Sequence, residues 1–115
     1  MQILDNANHA DGKNNLTSTG ALYALFPMKH DVARPAGEWN HAKVVCKGTK
    51  VEHWLNGFKV VEINFASDEY KDALKKSKFK SMPDFGTRLK GHIALQDHGD
   101  EVTFRNIKVR SLDGK

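Results

Sequence analysis

Glu38-Trp39-Asn40-His41-Ala42-Lys43-Val44-Val45-Cys46, Lys47-Gly48-Thr49-Lys50, Val51-Glu52-His53-Trp54-Leu55-Asn56 and, after Gly57, Phe58-Lys59-Val60-Val61-Glu62-Ile63 form the stretch that decides the fold. Its runs are rich in β-branched and aromatic residues, and each is of strand length. Lys47 to Lys50 has the length of an ordinary hairpin connection. Asn56-Gly57 is the dipeptide that tolerates positive φ at both centres of a type I′ turn, so the runs predict three antiparallel strands in meander order. Alternation puts His53 and Leu55 on one face of the second strand, and Glu52, Trp54 and Asn56 on the other.

Upstream, Gln2-Ile3-Leu4 is a short strand-like segment, and Asp5 to Asn15 is a polar stretch of loop chemistry. Gly20 to Phe26 reads as a strand ended by Pro27, and a loop runs on to Gly37. Downstream, Ser67 is a suitable N-cap, Asp68 and Glu69 suit the positive end of a helix dipole, and lysines gather toward the other end, so a helix is expected to about Lys76. A crossing segment, Ser77 to Lys90, leads to two further expected strands, Gly91-His92-Ile93-Ala94-Leu95-Gln96-Asp97-His98-Gly99 and Val102 to Val109. Helices do not alternate with strands. The fold class is therefore all-β, an antiparallel β-sandwich with one short helix, in a single domain over residues 1–115.

Composition narrows the classes. Hydrophobic residues make up 39% and charged residues 28%, which excludes wholesale disorder, and no apolar run reaches the length of a membrane span. Net charge is +4, but the lysines are spread out, and the local group Lys71, Lys75, Lys76, Lys78 and Lys80 reads as a solvated helix face. Neither nucleic acid nor membrane is an expected partner. Cys46 is the only cysteine, so an intrachain disulfide and a four-cysteine zinc site are excluded; it is expected as a buried, inert thiol.

Gln96, Asp97, His98 and Arg105 crowd the last hairpin, where such groups are uncommon unless something binds. Alternation places Ala94, Gln96 and His98 on one face and Ile93, Leu95 and Asp97 on the other, so the first set is the candidate floor of a site. His98 and His53 suit acid and base roles because imidazole titrates near neutrality. Asp97 also suits a turn cap, Arg105 an ion pair with Asp97 or Glu101, and Trp39 and Trp54 either core packing or stacking on a bound ring. Tyr23 and Asn40 are further candidates; His9, His30, His41 and His92 read as surface residues.

Gly37-Glu38-Trp39-Asn40, His53-Trp54-Leu55-Asn56-Gly57 and Gly91 to Gly99 continuing through Phe104-Arg105-Asn106-Ile107, in that order and spacing, resemble the bacterial 3-keto-disaccharide hydrolase domain. The Gln2-Ile3-Leu4-Asp5-Asn6 opening matches as well. The resemblance implies a concanavalin-like jelly roll, with family strands that precede Gln2 lying outside this chain. It also implies cleavage of sugars bearing a ketone at carbon 3. The ketone acidifies the carbon-2 hydrogen, a base removes it, the glycosidic oxygen leaves by β-elimination, and water adds to the enone. In that scheme His98 and His53 are the base and acid, and Arg105 or a divalent metal ion held by Asp5, His53 and His98 stabilises the enolate. Gln96, Asp97, Trp39, Asn40 and Tyr23 bind the sugar. The resemblance further points to a periplasmic or secreted protein. Two rival expectations are a non-catalytic glycan-binding module of the same fold and an inactive fragment that completes its sheets by homo-oligomerisation.

Overall fold

The computed structural model describes residues 1–113. Its regular structure is mostly sheet. Strands β1 (Ala42–Lys47), β2 (Lys50–Leu55) and β3 (Phe58–Asn64) form one antiparallel sheet in the order β1-β2-β3, and one α-helix, α1, spans Asp68–Lys76. The meander is as expected, with turns of two residues. Gly48 closes the first turn at φ 57°, and Asn56 and Gly57 take φ 50° and 89°, the paired positive values of a type I′ turn.

Pairing runs in one register from Lys50↔Asn64 to His53↔Val61 and then slips to Trp54↔Lys59, so Val60 is an extra residue on β3. This β-bulge breaks the alternation locally, which is why Val60 and Val61 are both buried although they are neighbours. Ile63 faces the same way as Val61 and packs with Leu25 and Tyr70; Leu22, Phe26, Val51, Leu74, Phe79 and Phe85 fill in around them. Ser67 caps α1 by accepting from the Tyr70 N–H, as its position predicted, and Tyr70 lies flat on Phe65.

Four expectations change. Gly20 to Phe26 is a compact turn, not a strand, because Ala24 at φ 59° folds the chain back so that Leu22 and Phe26 bridge each other. Gln2 makes a single strand-like pair of backbone bonds, to Ala21 and from Gly20, without extending into a strand. Residues 91–109 are irregular in place of the expected hairpin, with Ile93, Leu95, Ile107 and Val109 between 52% and 75% exposed. A strand exists only as one side of a ladder, and among the described residues this segment pairs with none. Cys46 is exposed on β1, whose outer edge is likewise unpaired among the described residues, so burial of its thiol does not occur.

His53 is 2% exposed, and its Nδ1–H donates to the Gly20 carbonyl at 2.9 Å. Burial, with a smaller contribution from the nearby N-terminal ammonium, holds its pKa down from 6.5 to about 4. The unfolded chain therefore binds a proton that the folded chain refuses, and stability should be level above pH 6.5 and fall as pH drops toward 4, by up to about 3 kcal/mol. Denaturant titrations at pH 7 and pH 4.5 check this: His53→Gln should lose roughly 2–3 kcal/mol less across that interval than the unsubstituted chain.

Among the described residues the buried Tyr70 hydroxyl has no hydrogen-bond partner; it is pressed against Gly86, which sits at φ 72°. A Cβ on Gly86 would overlap that hydroxyl oxygen. Gly86→Ala should therefore destabilise, Tyr70→Phe should be neutral or stabilising by about 1 kcal/mol, and the double variant should recover part of the Gly86→Ala loss. Thermal unfolding of the four proteins gives the coupling; strict additivity would contradict the contact.

Candidate functional site

Two adjoining hollows, about 450 and 260 Å³, open beside the N-terminal segment. The larger is lined by Met1, Gln2, Tyr23, Lys78, Phe79, Gln96 and His98; the smaller shares Met1, Gln2, Gln96 and His98 and adds Ile3, Ala94, Leu95, Asp97 and Phe104. Ala94, Leu95, Gln96 and Asp97 all line the smaller hollow, so the two-faced alternation expected of a strand does not hold there. The larger volume lies in the range of roughly 300–1,000 Å³ that small-molecule sites occupy.

Each wall has its own support. Gln2 is tied by backbone bonds to Gly20 and Ala21, and Ala21 is fully buried, which sets the height of Tyr23 two residues on. Lys78 follows the C-cap of α1, where the Ser77 hydroxyl donates to the Leu74 carbonyl and accepts from the Phe79 N–H. His98 rests on the edge of His9, with ring centroids 5.0 Å apart at 80°. His9 in turn accepts the Asp11 N–H on Nδ1 at 3.1 Å, a bond that starts the short 3-10 helix Ala10–Lys13. The Asp11 carbonyl accepts from the Thr17 hydroxyl at 2.7 Å, so this polar loop is pinned at several points.

Of the expected site residues, the hollow gathers His98, Gln96, Tyr23 and, on its smaller part, Asp97. Asp97 spends one carboxylate oxygen on the Gly99 N–H, as a turn cap would. His53 lines neither hollow; it is locked in the core on Gly20 and neutral near pH 7, so it does not meet His98. Arg105 is also elsewhere, with its guanidinium 3.8 Å above the Trp39 ring and no ion pair to Asp97 or Glu101. Trp39 is 43% exposed, not core. Asn40 is absorbed in holding its own loop: its amide exchanges bonds with the Arg34 backbone and accepts from Asn56 Nδ2, and Asn56 also reaches the Val32 carbonyl.

The expected metal set does not assemble. The Asp5 carboxylate accepts from the Ala7 and Asn8 N–H groups and the Asn8 side chain, and the last of these is the main reason its pKa lies below the usual value. His53 is buried on Gly20, and among the described residues no group of three or more His, Cys, Asp or Glu side chains converges to hold an ion. These residues do not fit a metal ion.

Three contributors lie outside the sequence expectations. His9 had the pattern of a surface histidine but is half-buried against His98. Lys78, grouped with the lysines of α1, is exposed but reaches Tyr23: its ammonium donates to the Tyr23 hydroxyl at 3.0 Å and lies 4.3 Å from the ring centre, whereas Lys71 and Lys75 pair with Asp68 and Asp72 on the helix surface. Asp11 accepts a long 3.4 Å bond from the same hydroxyl. The polar run before Gly12 was the only local signal for His9 and Asp11. Lys78 and Tyr23 are 55 positions apart, and no local pattern links them.

A family model described as the 3-keto-alpha-glucoside-1,2-lyase-like domain matches residues 1–110. A curated 3-keto-disaccharide hydrolase of Bacteroides thetaiotaomicron is 42% identical over 126 aligned positions, covering 97% of this chain and 43% of that protein. A crystal structure of a candidate glycosyl hydrolase from Parabacteroides distasonis superposes with a TM-score of 0.61 at 33% identity, over 65% of this chain and 34% of the other. The chain thus spans less than half the length of either relative. With the match running from residue 1 to residue 110, the chain belongs to the 3-keto-alpha-glucoside-1,2-lyase-like domain family.

Proposed function

We propose that this chain forms the sugar-handling part of a jelly-roll enzyme that cleaves 3-keto-glycosides by elimination and water addition. The observation that carries the reading is the convergence of an imidazole, a carboxamide, a phenol and an ammonium, from His98, Gln96, Tyr23 and Lys78, on one hollow of sugar size. Those groups match what an elimination asks for. An ordinary glycosidase places two carboxylates about an oxocarbenium-like centre. Elimination next to a ketone needs a base, donors for the oxygen that gathers charge, and a proton for the leaving group.

His98 takes the carbon-2 proton. The electron pair of that C–H bond forms the C1=C2 double bond as the C1–O bond breaks, and the leaving oxygen collects a proton. Water then adds at carbon 1 and carbon 2 is reprotonated, so the net change is hydrolysis. Gln96 donates to sugar hydroxyls from the same wall. The base role falls to His98 rather than His53 because His98 is exposed to the hollow, whereas the Nδ1 proton of His53 is committed to Gly20.

The test is incubation with a 3-keto-disaccharide in D₂O. Elimination should release sugar carrying deuterium at carbon 2, faster than exchange without protein, and His98→Ala should lose both release and deuterium incorporation by about 10²–10⁴-fold. Release without deuterium at carbon 2 would overturn the mechanism. Binding without release would identify a glycan-binding module instead.

A further inference from the structure

We propose that Tyr23, on the wall of the hollow and kept free to donate by Lys78, is the proton donor to the departing glycosidic oxygen; this rests on the elimination reading. The argument is one of donors and acceptors. An ammonium has three donors and no acceptor, so in the 3.0 Å contact with Lys78 Nζ the Tyr23 oxygen must be the acceptor. Its own O–H then has to point away from Lys78. In the free protein it points to Asp11 Oδ2 at 3.4 Å, a distance at which a hydrogen bond is weak and readily exchanged. The hydroxyl is thus fixed as a donor, only loosely engaged, on the wall of the hollow that His98 also lines.

The two groups divide the elimination between them. His98 gains the proton from carbon 2, the C1–O bond breaks, and Tyr23 gives its proton to that oxygen, leaving a phenolate whose charge faces the Lys78 ammonium. In the second half, water delivers hydroxide to carbon 1 and its proton to the phenolate, and the exposed His98 imidazolium, whose proton has meanwhile exchanged with solvent, delivers a proton to carbon 2. No proton or electron is left over. Lys78 acts through Tyr23 as a positioning residue.

Leaving-group dependence tests this. A 3-keto-glucoside of 4-nitrophenol departs without protonation, whereas a 3-keto-disaccharide needs it. Tyr23→Phe should lower kcat on the disaccharide by roughly 10²–10³-fold and leave the nitrophenyl compound within about threefold. Equal loss on both, as a structural defect would give, overturns the assignment, and so does no loss on the disaccharide. If the unsubstituted chain cleaves neither compound, the elimination reading itself falls. The two failures are therefore distinguishable.

Discussion

The hydrogen bond from His53 Nδ1 to the Gly20 carbonyl is the joint between the sheet and everything that walls the hollow. It crosses 33 positions and is buried, so neither partner has water to fall back on, and loss of either would strand the other. Gly20 itself sits at φ 87°, where a side chain would be strained and would press on Met28. From Gly20 the chain hands on the constraint: its N–H reaches Gln2, Ala21 accepts from Gln2, and Tyr23 is set two residues later. A residue that reads from its type as an acid or base thus shapes the hollow by holding its wall.

Two histidines of one chain show how environment decides the role. His53 is enclosed and committed through Nδ1 to a carbonyl, a setting in which the charged ring is too costly to form near neutrality. His98 lies exposed at the hollow and is steadied by the edge of another ring, a contact that orients the imidazole without occupying its lone pair. The same division separates the cations. Lys59 closes on Glu52 and Glu62 on the outer face of the sheet, while Lys78 finds a phenol at the hollow.

The parts legible in the sequence were those whose cause is local. Asn56-Gly57 carries its turn in two residues, Ser67 carries its cap within one helical turn, and the facing of His53 and Leu55 follows from period two. The bulge at Val60 was not legible, because two adjacent valines satisfy a strand pattern whether or not the register slips between them. The expected final hairpin failed for a related reason. The alternation of Ile93 and Leu95, or of Ile107 and Val109, describes a segment able to pair, whereas pairing itself belongs to two segments at once. Site residues divided the same way. Gln96 and His98 were found as neighbours in a crowded motif, but His9, Asp11 and Lys78 are joined to the hollow by contacts that only the folded chain creates.

The walls of the hollow are unequal in firmness, and this bears on the chemistry proposed for them. Gln2 and Tyr23 hang from buried backbone bonds at Gly20 and Ala21, and Lys78 follows a capped helix packed on the core through Tyr70. Among the described residues the wall of Gln96 and His98 is held by the ring of His9 and the Asp97 turn, and its backbone lies in an exposed segment that pairs into no ladder there. Segments with few buried contacts open at small free-energy cost. On the proposed elimination, the fixed side of the hollow carries the hydroxyl and ammonium, whose directions must be set beforehand to meet a developing charge, while the yielding side carries the proposed base, which has to follow a carbon–hydrogen bond as the sugar settles.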